Sequence, residues 1–466
     1  MNPDRHVSFR KRFLFALIVL VLAGLCAWAI LGRRESALDR WIAEMRAKGE
    51  KLTLEELGLN RPARTNAAME VIEIAASRLK ALERAKISVE HQPPGEIGVE
   101  RQRVEWAGTN LQSTIGYVLD WNALGKELTE LRPTLASVQE IMRDPPLDSG
   151  RDYTGTSSSL YIVAIREVAQ WLHIVTMHDL HHGDLSLAHQ DLLALIGMAH
   201  LHAESWTIVD QMIRSAVASL APDAVWNALQ APGWTDQQLA ELQDRLASLS
   251  FFKELEQTLR AQRAAGLYWI CEMKTNQNST SSGRLADLPE EAWGFLWEAL
   301  WADADFLMYC RHHQLWIESI HTLAVSHSYR QIEPQLAEAQ RYLDRKFSGI
   351  QKYRYPFSGI ALPNILRGQD RLVKNESLRQ LTIAAIALKR CELRHGRLPR
   401  DLRELQPEFL RDLPVDFYDG KPVRYRLQVD GSFALYSVGA DFQDDGGAPG
   451  KDLLWPKPVW LSTDSK

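Results

Sequence analysis

With 466 residues, 45% hydrophobic and 24% charged, the chain is too long for one ordinary core and too apolar to be disordered. A net charge of −5 supplies no overall basic field, which argues against nucleic acid as a partner. Cys26, Cys271, Cys310 and Cys391 are too widely spaced for a zinc site or a disulfide framework, although one disulfide stays open.

Residues 1–12 form a basic tail carrying Arg5, Arg10, Lys11 and Arg12. Residues 13–31, FLFALIVLVLAGLCAWAIL, contain no charge. As a helix this run covers about 28 Å, enough for a hydrocarbon core. The expectation is a transmembrane anchor in the inner (cytoplasmic) membrane, crossing the lipid bilayer once. The basic flank places the N-terminus in the cytoplasm and exports the body. A cleaved signal peptide ending near Ala27-Trp28-Ala29 is the rival reading.

Residues 32–365 read as an exported helical body. Leu38, Trp41, Ile42 and Met45 share one helical face, and Thr53 with Glu56 has the spacing of a capping box for a short second helix. Amphipathic segments are expected over 66–84, 157–179, 185–204, 208–220, 293–325 and 331–347, with Asp184 and Thr235 as N-caps. A polar stretch near 274–291 divides this region. Short connections imply antiparallel neighbours, hence a helical-hairpin bundle or an irregular solenoid.

Residues 366–466 change character. Leu378, Leu381, Ala385 and Leu388 stripe a helix that Gly396 ends, and two strand-like runs around Asp430-Gly431 read as a hairpin with a type I′ turn. The fold class expected is therefore mainly α: a transmembrane helix, a helical body, and a small α+β tail.

Three constellations carry chemistry. In LYSVGADFQDDGG and beyond, Asp441, Gln443, Asp445, Gly446 and Asp452 stand at relative positions 1, 3, 5, 6 and 12, close to the spacing of a calcium loop. A solvated acidic turn is the bland alternative. His173, His178, His181, His182, His189, His200 and His202 crowd one stretch without an HExxH motif, and read as helix-surface and core-edge residues unless they hold a metal. Trp293, Trp297 and Trp301 recur at helical spacing, followed by Phe306, Tyr309 and Trp316. That stripe is either core or a seam for a partner or for bilayer headgroups. No Walker loop, GxGxxG or GxSxG is present, so no catalytic residue is assigned.

In the tail, Gly396, Leu398 and Pro399, then Leu413, Pro414, Asp416, Pro422 and Tyr425, then Tyr436, Ser437, Gly439 and Asp441 form three motifs. Together they resemble the globular part of the major pseudopilins of type II secretion systems. Phe417 stands where those proteins carry proline, and their N-terminal cleavage motif is absent. The resemblance implies calcium as a structural cofactor, with Asp441, Asp444, Asp445 and Asp452 as ligands. With the anchor and the helical hairpins, the tail motifs point to a non-enzymatic envelope scaffold, linked to secretion or surface assembly, that binds an envelope protein partner. The alternative is an envelope hydrolase or metal-dependent enzyme using the His-rich helices.

Overall fold

The computed structural model describes residues 36–59, 67–80, 110–112, 118–147, 160–275, 297, 300–362, 369–429 and 431–455. The expected anchor at 13–31, and most of the polar stretch near 274–291, lie outside the described residues. Among the described residues no helix is long and apolar enough to cross a membrane. The chain is mainly helical with a small antiparallel sheet near its C-terminus, and it divides into two compact units.

One unit comprises Met1–Asn60, Arg260–Trp316 and Ala337–Leu366. Its first described element, α1 (Ala37–Ala47), starts at Ser36, whose hydroxyl accepts from the Asp39 N–H while the Asp39 carboxylate accepts from the Ser36 N–H. Leu38, Trp41 and Met45 are buried, as the apolar stripe requires. Thr53 and Glu56 make their reciprocal hydrogen bonds, yet the segment closes as a turn rather than a helix. Gly58, at φ +71°, ends it before a second helical turn can form. At the core of this unit Arg263 is fully buried and donates to Glu50, to the Lys51 carbonyl and to Gln314. Burial alone would raise the Glu50 pKa; hydrogen bonding to Arg263 and the charge of Arg260 outweigh it and hold the carboxyl below its usual range.

The other unit comprises Arg61–Leu259, Ile317–Leu336 and Arg367–Lys466. It begins with α2 (Ala67–Lys80) and a two-stranded ribbon, β1 (Asn110–Gln112) and β2 (Val118–Asp120), which runs into α3 (Trp121–Arg143). Then follow α4 (Leu160–His181), α5 (Leu185–His200), α6 (Ile208–Ala218), α7 (Leu220–Gln230) and α8 (Asp236–Ala247). Asp184 caps α5 by accepting from Leu187 N–H, and Thr235 with Gln238 forms a complete capping box on α8. Helix α4 packs against α2, α5 and α7, and α5 against α3. Leu172, Val175, Leu192, Leu195 and Ile196 are buried there. The helix expected over 208–220 runs from Ile208 to Ala218, and α7 follows directly after Ser219.

Three further helices complete the body: α9 (Phe252–Thr275), α10 (Ala302–Ser326) and α11 (Tyr329–Lys346). A 3-10 turn at Gly349–Arg354 leads into α12 (Pro356–Ala361). The long α13 (Gln369–His395) stops at Gly396, whose φ of +67° a side-chain-bearing residue adopts at a cost. Helix α13 packs on α8 and α7, within the unit that also holds Arg61–Leu259.

Strands β3 (Arg424–Leu427), β4 (Phe433–Ser437) and β5 (Leu453–Trp455) form one antiparallel sheet in that order. The hairpin turn is not of type I′. Gly431 N–H donates to the Gln428 carbonyl, Gln428 N–H donates to Ser432, and Gly431 has φ +82°. That is the pattern of a three-residue loop with a bulge.

Candidate functional site

Asp416 organises the tail. It is fully buried, and its two oxygens accept from Tyr418 N–H, Val438 N–H and the Ser437 hydroxyl, at 3.0, 2.8 and 2.8 Å. Arg424 bridges Asp416 at 2.9 Å and Asp419 at 2.5 Å. Two of the stretches that carry the tail resemblance, one around Asp416 and one around Ser437, therefore meet in space.

The neighbouring Phe417 and Tyr418 have a different use. Their carbonyls accept from Tyr329 and Arg330 N–H at 2.8 and 2.9 Å, satisfying donors that the start of α11 leaves open. Phe417 also stacks on Phe252 with ring centres 5.3 Å apart. Phe417 is thus a docking point for the tail within its own unit.

The acidic loop folds around its own hydrogen bonds. Asp452 is buried and accepts from Gly447 and Ala448 N–H, both at 2.8 Å. Asp445 pairs with Lys451 at 2.8 Å. Asp444 accepts from Tyr436 OH at 2.9 Å and from Gly446 N–H, with Arg424 3.5 Å away. Asp441 is exposed and accepts from Gln443 N–H. Burial and the Asp444 carboxylate together push the Tyr436 phenol up to about 12. These hard oxygens are of the kind calcium takes. Among the described residues, however, no group of three or more His, Cys, Asp or Glu is arranged to hold a metal ion.

The histidines separate into individual environments. His173 is buried, and burial pushes its imidazole down to about 4. His189 faces the Gln238 carbonyl and Glu241. His200 faces the Arg245 carbonyl, and burial plus Arg245 push it down to about 4. The His178 and His182 ring centres lie 4.2 Å apart, the rings tilted by 31°, and His182 Nδ1 lies 2.8 Å from the His178 carbonyl. Gly125 on α3 leaves room for this arrangement, since a Cβ there would meet His178 Nε2 at 2.9 Å.

Around His178 lies a cluster that motif searching missed. His178 Nδ1 is 2.9 Å from Asp179, whose carboxylate also holds Arg132 from α3. Asp191 on α5 is fully buried, accepts from Gln139 at 2.7 Å and lies 3.9 Å from Arg132. Burial first, then the Asp179 charge, drives the Asp191 pKa well above the carboxylate range, while His178 and Arg132 hold Asp179 below it. Burial thus favours the neutral form of Asp191, whereas its partners favour the charged form of Asp179. The available signal was an aspartate inside an apolar run, as in HIVTMHDL and HQDLLALIGM.

The aromatic stripe divides. Phe306, Tyr309 and Trp316 are core residues, whereas Trp301 is half-buried under the Arg354 guanidinium. Trp293 lies outside the described residues.

These features define the class: a mainly helical protein whose small α+β tail is pinned by a buried carboxylate. No protein-family model matches the chain, and neither the curated proteins nor the solved structures yield a match.

Proposed function

We propose that this is a non-enzymatic envelope protein, anchored by residues 13–31, whose exported helical body holds a partner and whose pseudopilin-like tail is a structural module. The observation that carries the reading is the Asp416 network. Asp416, Arg424, Asp419 and Asp444 are linked to one another and to backbone donors, an arrangement that fixes a scaffold. Calcium belongs to the proposal as a stabiliser of the acidic loop through Asp441, Asp444, Asp445 and Asp452. The reading is tested by fusing a reporter enzyme that works only outside the cytoplasm to the C-terminus. Activity in intact cells supports it, and a full-length fusion that is made but inactive overturns it.

One observation favours a second reading, an envelope hydrolase. Two buried carboxylates, Asp179 and Asp191, set around Arg132 with His178 beside Asp179, are the raw material of acid–base catalysis. Hydrolysis of ester, peptide or glycan substrates by the full chain, abolished by Asp191→Asn, would favour it over the scaffold.

A further inference from the structure

Between Tyr342 and Ile360 the surface of the first unit alternates aromatic and basic side chains. Lys346 Nζ lies 5.5 Å from the Tyr342 ring centre and 5.7 Å from that of Tyr355. Lys352 sits 5.0 Å over Tyr353, and the Arg354 guanidinium 5.6 Å over Trp301. Each cation is therefore presented together with an amphipathic ring. Tyr342, Tyr353 and Ile360 are 39%, 51% and 81% exposed.

The stretch also carries a local excess of basic side chains. Over 337–362 there are five basic side chains (Arg341, Arg345, Lys346, Lys352, Arg354) against two acidic ones (Glu338, Asp344), in a chain of net charge −5. A lone exposed isoleucine would need no explanation. Exposed aromatic, aliphatic and basic groups on one short segment match the chemistry of the headgroup region, where rings sit at the interface and ammonium and guanidinium groups meet phosphate.

Chain continuity supplies the second argument. The expected anchor ends at Leu31, and Ser36, which caps α1, belongs to the unit that carries this surface. The residues between can span at most about 18 Å. A surface so tethered needs only weak intrinsic affinity, because its effective concentration at the bilayer is high.

We propose that the face formed by Trp301, Tyr342, Lys346, Tyr353, Arg354 and Ile360 lies on the surface of an anionic lipid bilayer and orients the exported body on the membrane. This inference rests on the anchored reading above.

The test is hydrogen exchange of the full chain in detergent, in discs of phosphatidylcholine, and in discs where a quarter of the lipid is phosphatidylglycerol. Amides of 349–361 exchange more slowly in the anionic discs than in either other setting. Combining Lys346→Glu, Lys352→Glu and Arg354→Glu abolishes the difference, each basic side chain contributing roughly a fivefold factor. Tyr353→Ser with Ile360→Ser, both at exposed positions, reduces the protection while leaving the melting temperature unchanged. Equal exchange in all three settings overturns the proposal, and so does protection that persists in the triple variant, which would mark a protein contact. A chain that does not enter discs overturns the anchored reading instead. The same chain is then floated with anionic vesicles: flotation supports the surface, and none overturns it.

Discussion

The Ser437 hydroxyl donates to the Asp416 carboxylate at 2.8 Å, joining the Leu-Pro-Val-Asp turn to the end of β4. Both residues are fully buried, so the donors that converge on Asp416 have no water to replace it. Asp416→Ala strands Ser437, Val438 N–H and Tyr418 N–H and removes one of the three carboxylates around Arg424. The expected loss is about 3 kcal/mol or more. Ser437→Ala should cost only about 1 kcal/mol. Denaturant unfolding of both variants and their combination measures the coupling. A double variant whose loss equals the sum of the singles would show that the pair does not act together.

A second buried pair lies in the other unit. Arg263 is fully buried, and Glu50 is its carboxylate partner at 2.9 Å. Removing one member of such a pair leaves an uncompensated charge in the interior, at a cost of about 3–5 kcal/mol. Glu50→Ala should therefore unfold this unit at markedly lower denaturant. Glu50→Gln, which keeps an acceptor for Arg263, should lose less. Similar midpoints for Glu50→Ala and the parent chain would rule out this role.

Local signals in the sequence translated into structure with little change. The caps at Asp184 and Thr235, the stripe of Leu38, Trp41 and Met45, and the stop at Gly396 each depend on neighbours within a turn or two. What the sequence hid depends on distant partners. The start of α11 is capped by carbonyls of Phe417 and Tyr418, and Glu50 meets Arg263 only after folding. Strand β5, three residues long, is too short to show alternation. Asp416 was visible as a motif position, but its role as a hub became clear only when Val438 and Ser437 closed on it. The Asp179–Asp191 pair was harder still, because periodicity treats a polar residue in an apolar run as noise.

That pair makes stability depend on pH in opposite directions. The Asp191 pKa is raised in the folded state, so its contribution is complete below the ordinary carboxylate value and is lost as pH rises through the folded value. Asp179 is lowered, so its contribution is present at neutral pH and is lost as pH falls through its folded value. Asp191→Asn preserves an acceptor for Gln139 and supplies a permanent donor toward Asp179. Its melting temperature should match or exceed that of the parent at neutral pH and should decline less as the solution becomes alkaline. Asp179→Asn should be destabilising at neutral pH, since Arg132 then loses its closest carboxylate. If the two variants showed the same pH profile as the parent, the opposed shifts of Asp191 and Asp179 would have to be abandoned.

In the acidic loop, internal staples and calcium make separable predictions. Asp452 is buried and holds Gly447 and Ala448 N–H whether or not a cation is present. Asp452→Ala should lower stability by about 1–3 kcal/mol in chelator as well as in calcium. Asp441, exposed, and Asp445, paired with Lys451, contribute to the fold chiefly by the charge they present. Calcium should therefore raise the melting temperature of the parent. The rise should be modest, because Lys451 and Arg424 already offset part of the negative charge. Asp441→Ala combined with Asp445→Ala should remove the calcium response while leaving the melting temperature in chelator close to that of the parent. Melting curves that coincide in calcium and chelator would leave the loop held by Asp452, Lys451 and Arg424 alone, and calcium would drop out of its description.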